Sequence, residues 1–420
     1  MARWRRPVSS QPAMAEVWRR EAPYLLAALL RRHGDLGDCE DAAQEAAEAA
    51  AADWVRNGIP DNPRAWLIRV AARRLIDHMR ADRSRIGREE AVAAARPADT
   101  HLAPPADESE PEPGDDTLRL FLLCCHPSLT RPSQVALTLR AVAGLSVDRI
   151  AAVFLVPERT MTQRLTRARA TLRAASARFE LPAPADLPER LAAVLDVCHL
   201  MFTVGHTAST GAFVHDPGPA QEALRLTREL HHAVPDHDEV TGALALMLLT
   251  HARAAARTDS DGELVPMAKQ DRDRWDHHAI AEGIALLENV LPRGHIGRYQ
   301  LEAAIAAVHA EAPTWASTDW PQICVLYAML DRVAPSPAVT LNRAVAVAMA
   351  GGADLGLRLT QPLLDDPAMR RHHRLYAVRA HLLEMAGDLP AAAENYRRAA
   401  TLTTSLPEQR YLNAGLARLI

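Results

Sequence analysis

The chain of 420 residues is poor in aromatic side chains, which make up 4% of it. It also has few stretches in which β-branched and polar residues alternate, as they do in a half-buried strand. Ala, Leu and Arg are abundant instead, and all three favour helix. We therefore expect an all-α fold. A chain of this length exceeds one ordinary core, so we expect two to four domains.

The sequence lacks the features of a secreted or membrane protein. Its five cysteines are scattered and include no C-x-x-C pair, so neither a disulfide framework nor a zinc site is predicted. Cys124 and Cys125 would diverge by about 100° on a helix, which predicts buried thiols rather than metal ligands. No apolar run reaches about 18 residues, and the basic start, residues 1–6, precedes no apolar segment. We expect a cytoplasmic protein without a membrane span.

Catalytic motifs are also missing. The sequence has no Gly-rich phosphate loop, no nucleophile elbow and no H-E-x-x-H motif. The acidic segment 259–263 is faintly similar to a calcium loop, but it lacks the Glu at the twelfth position and predicts a turn. We therefore expect no enzymatic activity, no cofactor and no bound metal.

Charge is distributed unevenly, although the net charge is only −4. Residues 63–88 hold eight Arg against two acids, and residues 131–179 hold nine Arg against two acids. Between these islands, residues 89–116 hold nine acids and one Arg. Two basic islands joined by an acidic, Pro-rich stretch indicate two nucleic-acid contacts on a flexible tether.

Four blocks follow from the helical patterns and the Pro-rich breaks. We assign residues 14–85 to one helical unit, 86–114 to a solvated linker, 115–180 to a second helical unit and 183–420 to a long helical block. Within the last block we expect helices near 239–256, 274–291, 297–309 and 319–332.

The last block also has an internal period of about 36 residues. In its clearest unit, 376–399, a turn at Gly387-Asp388 joins two helices, and Tyr396 fills the groove between them. The segment 337–366 repeats this plan with a turn at Gly351-Gly352 and a small residue at Gly356. The pattern resembles a degenerate tetratricopeptide repeat and predicts a solenoid of helical hairpins. An irregular helical domain is the alternative.

A helix-turn-helix is predicted over residues 132–172. Ser146 is placed to cap a short helix, and Pro157 suits the first turn of the next. In that second helix one apolar stripe is predicted, formed by Met161, Leu165, Ala168 and Leu172. Arg, Thr and Gln side chains occupy the other side, which suits the major groove of DNA. A surface helix with solvated arginines is the alternative.

The segment 160–169, TMTQRLTRAR, resembles the recognition helix in region 4 of extracytoplasmic-function sigma factors. The resemblance implies that Thr162, Gln163 and Thr166 read the −35 promoter element. The resemblance also implies that the arginines of this segment contact DNA phosphates or neighbouring helices. The full set implied for −35 binding is Arg159, Thr160, Thr162, Gln163, Arg164, Thr166, Arg167 and Arg169. One departure is Leu155, which stands where the family's turn usually has Gly.

The first block resembles region 2 of the same family. Residues 40–45, EDAAQE, open a helix ending near Trp54, and the resemblance implies that Asp41, Gln44 and Glu45 bind the core polymerase. Complementarity to the helix dipole would also explain this acidic turn. A second helix starts at Asn62. It resembles the −10 reader, and the loop 56–62 resembles the segment that receives an extruded base. The implied −10 set is Asp61, Asn62, Arg64, Arg69, Arg73, Arg74 and Arg80.

The rest of the chain is similar to a subgroup of these sigma factors that carries a tetratricopeptide-like extension. The resemblance rests on segments 120–127, 270–276, 299–307 and 341–346. It implies that the protein directs promoter-specific initiation with bacterial core RNA polymerase and promoter DNA as partners. The extension would regulate this activity by contacting the sigma modules or an unidentified protein or peptide. Residues 202–206 depart from the subgroup, which usually has Asn-Glu before the Gly and Tyr after it.

Two other functions remain open at this point. A one-component activator would join the helix-turn-helix to a repeat domain that senses a ligand or peptide, and it would bind duplex DNA without polymerase. A repeat scaffold with merely solvated basic islands would show no salt-dependent affinity for DNA.

Overall fold

The computed structural model describes residues 11–90, 113–154, 156–206, 217–367 and 369–419. Within these ranges the chain is helical and forms no β-strand; Thr258 and Leu264 form an isolated bridge. The expected all-α class is confirmed. The structure divides into two compact units, with the boundary after Val197.

The first unit begins with three helices, α1 (Gln11–His33), α2 (Leu36–Asn57) and α3 (Pro63–Glu90). Asp35 caps α2 by accepting from the Asp38 N–H at 3.0 Å, and Asn62 caps α3 by accepting from the Ala65 N–H at 3.0 Å. The three helices pack against one another, and their buried side chains include Leu25, Leu29, Leu30, Ala46, Trp54, Leu67 and Leu75. This packing fixes the exposed faces of α2 and α3.

The predicted acidic linker falls mainly on residues 91–112, which lie outside the described residues. Residues 86–90 continue α3, and residues 113–114 open the next helix. The predicted domain boundaries around the linker remain predictions.

The first unit continues with α4 (Pro113–Cys124), α5 (Arg131–Leu137), α6 (Val147–Val153), α7 (Glu158–Ala174) and α8 (Leu187–His206), and the boundary after Val197 falls within α8. The helix predicted from Pro132 to Gly144 is present, but its last part, Thr138–Val142, is a π-helix. Gly144 follows with a φ of 65°, a conformation that favours glycine. Leu155 lies outside the described residues.

Two local predictions are confirmed, namely the burial of the Cys124 and Cys125 thiols and the turn in the acidic segment 259–263. Cys124 and Cys125 are fully buried, and burial raises the pKa of the Cys125 thiol to about 12. Asp259 accepts hydrogen bonds from the N–H groups of Asp261 and Glu263, both at 2.9 Å, which confirms a turn. Over the described parts of the chain, no group of three His, Cys, Asp or Glu could hold a metal ion.

The second unit is a succession of helices, each packed against its neighbour in sequence. They are α9 (Pro217–Ala233), α10 (Asp238–His251), α11 (His277–Val290), α12 (Arg298–Glu311), α13 (Trp320–Val333), α14 (Pro337–Gly351), α15 (Ala353–Thr360), α16 (His373–Ala386), α17 (Leu389–Leu402) and α18 (Leu406–Ala417). None of the helices described in either unit is long and apolar enough to cross a membrane.

One expected helix is shorter than predicted. The sequence predicts a helix over 239–256, whereas α10 ends at His251 and a short 3-10 turn follows at Ala254–Ala256. The Asp276 N–H donates to the Ala252 carbonyl at 2.9 Å. This distant donor satisfies a carbonyl at the end of α10, so the helix can stop there without leaving that group unpaired.

The helix pairs predicted near the C-terminus are present. Gly387 ends α16 with a φ of 83°, and Asp388 caps α17 by accepting from the Ala391 N–H at 3.1 Å. At Gly356, a Cβ atom would lie 2.5 Å from the Ala344 carbonyl oxygen, so only glycine permits this approach of α15 to α14. The membership of these pairs in the tetratricopeptide class remains a prediction.

Candidate nucleic-acid and polymerase interface

Helix α7 separates its side chains as predicted. The apolar stripe is buried, with exposed fractions of 0–4% for Met161, Leu165, Ala168 and Leu172. Six of the eight side chains predicted to contact the −35 element are exposed, namely Arg159, Thr160, Thr162, Gln163, Thr166 and Arg167, whereas Arg164 and Arg169 are half-buried. The stripe packs α7 against α5 and α6 and leaves a polar, cationic face in solvent.

Local contacts order part of this face. The Thr162 hydroxyl donates to the Glu158 carbonyl at 3.0 Å, and the Thr166 hydroxyl donates to the Thr162 carbonyl at 2.9 Å. The Arg164 guanidinium lies 4.9 Å from the centre of the Phe154 ring and is half-buried. Arg164 therefore packs on the end of the preceding helix, whereas the two threonines are exposed to solvent.

The C-terminal half of α7 contacts α2. The Arg169 Nε atom lies 2.6 Å from Glu40 Oε2, and Arg173 donates two hydrogen bonds to the Asp35 carboxylate at 2.7 and 2.9 Å. These ion pairs join the predicted −35 reader to the predicted polymerase-binding helix.

The two carboxylates differ in environment. Burial raises the pKa of Glu40, against the opposing effect of Arg169. The hydrogen bonds from Arg173 are the largest cause of the lowered pKa of Asp35. The Arg169–Glu40 pair is thus the desolvated centre of this contact, and the Arg173–Asp35 pair lies nearer solvent.

A third contact reaches the predicted polymerase-binding set. Arg140, in the π-helical segment, donates to the Gln44 side-chain carbonyl at 3.0 Å. Glu45 lies 2.9 Å from His78 Nε2 and 3.6 Å from Arg74 Nε, so it is tied to α3. Asp41 is exposed. The sequence alone does not indicate that Arg140 contacts Gln44, because no local pattern of residues marks a contact 96 residues away along the chain.

Helix α3 presents an arginine face. Arg69, Arg73 and Arg80 are exposed, and no acid among the described side chains forms an ion pair with any of them. Arg64 instead contacts α1. Its Nε atom lies 2.8 Å from Glu21 Oε2, and its guanidinium lies 3.7 Å from the centre of the Tyr24 ring. Within the predicted −10 set, Arg64 therefore joins α3 to α1, while the three exposed arginines face solvent.

The other members of the predicted −10 set likewise include both side chains with internal contacts and an exposed side chain. Asn62 caps α3, and Arg74 lies near Glu45 of α2, so both side chains contribute to the packing or the ends of the helices. Asp61, in the loop before α3, is exposed. Three arginines of the set therefore share one exposed face of α3, namely Arg69, Arg73 and Arg80. Three other members, Asn62, Arg64 and Arg74, form contacts within the first unit.

Comparison with known families matches three parts of the chain. Residues 17–85 match the family model described as Sigma-70 region 2, and residues 121–172 match that described as Sigma-70, region 4. Residues 190–291 match a family of unknown function, DUF6596. The first sigma match covers most of α1–α3, and the second runs from the end of α4 to Leu172 in α7, so the two matches include most of the residues that form the faces described above.

Two relatives extend these matches. The chain is 39% identical over 399 residues to the uncharacterized protein R00370 of Rhizobium meliloti (strain 1021), covering 94% of this chain and 93% of that protein. It is 30% identical over 162 residues to the probable ECF RNA polymerase sigma factor SigI of Mycobacterium tuberculosis (strain ATCC 25618 / H37Rv). This second match covers 39% of the chain and 55% of the relative. The chain therefore belongs to the extracytoplasmic-function group of the sigma-70 family of RNA polymerase sigma factors, and it carries a C-terminal helical extension.

Proposed function

We propose that this sigma factor, which binds core RNA polymerase and directs initiation at promoters, does so through three faces of its first unit. The exposed face of α7 would read the −35 element, the arginine face of α3 would hold the −10 element and its opened strand, and α2 would bind polymerase. The observation that carries this assignment is the division of α7 into a fully buried apolar stripe and an exposed face with Thr162 and Gln163.

The contacts of α2 with α7 and with the π-helical segment Thr138–Val142 give the free protein a closed state in this proposal. Gln44, assigned to polymerase binding, is bonded to Arg140, and Arg169, assigned to promoter binding, is paired with Glu40. Polymerase and promoter would have to compete with these internal partners. A ligand that binds the open state better shifts the population towards it by its differential affinity. Binding to polymerase would therefore favour release of α7 for DNA.

The second unit would act as a regulatory domain in the cytoplasm, and the chemistry of RNA synthesis would belong to the polymerase. This role is supported by the fusion of a large helical unit to the sigma modules in one chain, an arrangement shared along nearly the full length of the R. meliloti relative.

A binding experiment with core polymerase tests the assignment of α2. Asp41→Ala should weaken the affinity of the full-length protein for core polymerase, because it removes an exposed carboxylate from the assigned face. Asp53→Ala, near the other end of the same helix, is the matched control and should leave the affinity unchanged. Equal affinities for the wild-type protein and Asp41→Ala would remove Asp41 from the interface. Failure of the wild-type protein to bind, together with tight binding to free duplex DNA, would favour a one-component activator.

A further inference from the structure

The second unit contains a cavity of about 800 Å³. Its walls come from α10, α12 and α13, from the segments 253–270 and 334–342, from His199 and His206 of α8 and from Arg374 near the start of α16. Cavities that hold small-molecule ligands run from about 300 to 1,000 Å³. None of the lining residues belongs to the polymerase-binding or promoter-binding faces, so the cavity is unexplained by the sigma function.

The cavity is lined by more positive than negative side chains. Arg253, Arg257, Arg298 and Arg374 line it, against one carboxylate, that of Glu302. Glu302 accepts from Arg298 at 2.8 Å, and Arg257 donates to the carbonyl of His206. Among the described residues, no carboxylate forms an ion pair with Arg253 or Arg374. The cavity wall therefore carries an excess of positive charge.

One carboxylate behind the wall reduces this excess without removing it. Glu408 acts electrostatically on Arg257 and Arg374. Its side chain bonds instead to His373 and to the Thr403 hydroxyl, both at 2.9 Å, and it does not line the cavity. The guanidinium group of Arg374 is therefore left without a direct acidic partner among the described side chains.

Arg253 lies near an aromatic ring and two other guanidinium groups. Its guanidinium lies 6.0 Å from the centre of the Trp275 ring. Burial lowers the pKa of Arg253 to about 10, and the neighbouring guanidinium groups of Arg257 and Arg272 act in the same direction. A buried charge without a counter-charge costs free energy, which an anion in the cavity would offset.

The remaining walls combine apolar and hydrogen-bonding groups. Leu246, Ile305 and Leu330 supply buried apolar surface, and Tyr327 and Asn342 supply polar groups. An inorganic ion would leave most of this volume unfilled. We propose that the cavity binds a small organic anion that carries phosphate or carboxylate groups on an apolar body.

In the bound state, Arg253 and Arg374 hold the anionic groups, and the leucine and isoleucine side chains cover the apolar body. Guanidinium groups suit this role because they form charge-assisted, bidentate hydrogen bonds with both phosphate and carboxylate. The site makes the C-terminal extension a small-molecule receptor. Binding at this site involves none of the residues assigned to promoter reading.

Binding of 8-anilinonaphthalene-1-sulfonate to the full-length protein tests the proposal, because this probe joins an anionic group to an apolar body. Its fluorescence should show saturable binding that pyrophosphate, citrate or both displace at constant ionic strength. Displacement by pyrophosphate indicates a phosphate ligand, and displacement by citrate indicates a carboxylate ligand. Failure of both to displace the probe overturns the proposal, as does displacement by an acidic peptide alone, which would indicate a peptide groove.

Variants locate the binding. Arg253→Gln and Arg374→Gln should each weaken probe binding by on the order of tenfold, the effect of losing one charge-assisted hydrogen bond. Arg358→Gln, an exposed residue of α15 that does not line the cavity, should leave it unchanged. Arg374 is exposed, so its variant decides the question if circular dichroism shows that Arg253→Gln unfolds. Equal affinity in Arg374→Gln and the wild-type protein overturns the proposal.

Discussion

Arg169 on α7 pairs with the buried Glu40 on α2 at 2.6 Å, across 129 residues of chain. This relationship joins a residue implied in −35 binding to the helix implied in polymerase binding. Because Glu40 is only 3% exposed, its carboxylate depends on Arg169 for a counter-charge.

Weakening the solvent-facing side of the closed contact should favour polymerase binding. Arg173→Gln removes two hydrogen bonds to Asp35 and leaves the buried Arg169–Glu40 pair intact. A partly exposed ion pair contributes roughly 0.2–1 kcal/mol, so we expect the affinity for core polymerase to rise by a factor of about 1.4 to 5. Fluorescence anisotropy measures it, with Arg178→Gln, a highly exposed arginine of the same region, as the control. Weaker binding by Arg173→Gln would contradict the closed state.

Loss of a reading side chain on α7 should reduce promoter discrimination. Gln163→Ala removes an exposed amide from the predicted reading face, where a good base contact contributes about 1–3 kcal/mol of discrimination. With polymerase bound, we expect the preference for the cognate −35 sequence over a scrambled one to fall about 5- to 150-fold. Thr171→Ala, exposed near the other end of α7, should keep the preference in the same competition assay.

Neutralising the arginine face of α3 should impair promoter opening. Arg73→Gln removes one exposed positive charge, and we expect slower open-complex formation on duplex promoters with a smaller defect on a template that is already melted. The affinity of the polymerase complex for promoter DNA should also depend less on salt: the slope of the logarithm of this affinity against the logarithm of salt concentration should fall in magnitude by about 0.7–1 per charge removed. Permanganate footprinting and a salt series measure these effects. Arg32→Gln, exposed on α1, is the control, and an equal slope in the two variants would argue against the assignment.

The close packing of α14 and α15 should tolerate no side chain at Gly356. Gly356→Ala would place a methyl group 2.5 Å from the Ala344 carbonyl oxygen, a backbone atom that cannot move independently. We expect a loss of about 1–3 kcal/mol in the free energy of unfolding, measured by urea denaturation. Gly351→Ala meets only the end of the Leu355 side chain and should cost much less. Equal losses in the two variants would contradict this packing.

The stability of the second unit should depend on pH through His309. Burial lowers the pKa of His309 to about 4, with Arg253 and Arg272 acting in the same direction. The unfolded chain takes up this proton near pH 6.5, so the free energy of unfolding should fall between about pH 6.5 and 4, by on the order of 1–3 kcal/mol. His309→Gln should flatten this dependence, whereas His277→Gln, at an exposed site, should keep it. Urea titrations across this pH range measure the effect.

Local periodicity accounts for what could be predicted from the sequence. The stripe from Met161 to Leu172 is visible because buried residues on a helix recur every three or four positions. The turn at Gly387-Asp388 is visible because both residues have strong helix-end preferences.

What could not be predicted depends on contacts distant in sequence. The resemblance to region 2 implies that Arg64 contacts DNA, but the hydrogen bond of Arg64 to Glu21 depends on how α1 packs against α3. The pairing of Arg169 with Glu40 and the arginine-lined cavity likewise arise only when separate helices pack together. No local pattern of residue types indicates either feature.

Run-off transcription with purified core polymerase tests whether this protein directs promoter-specific initiation. Core polymerase alone and core polymerase with the full-length protein should be compared on a library of promoter fragments. We expect discrete, promoter-specific transcripts only when the protein is added, with their sequence preference altered by Gln163→Ala. Tight binding of the protein alone to duplex DNA, with no transcript beyond those of core polymerase, would show that the protein does not act as an initiation factor.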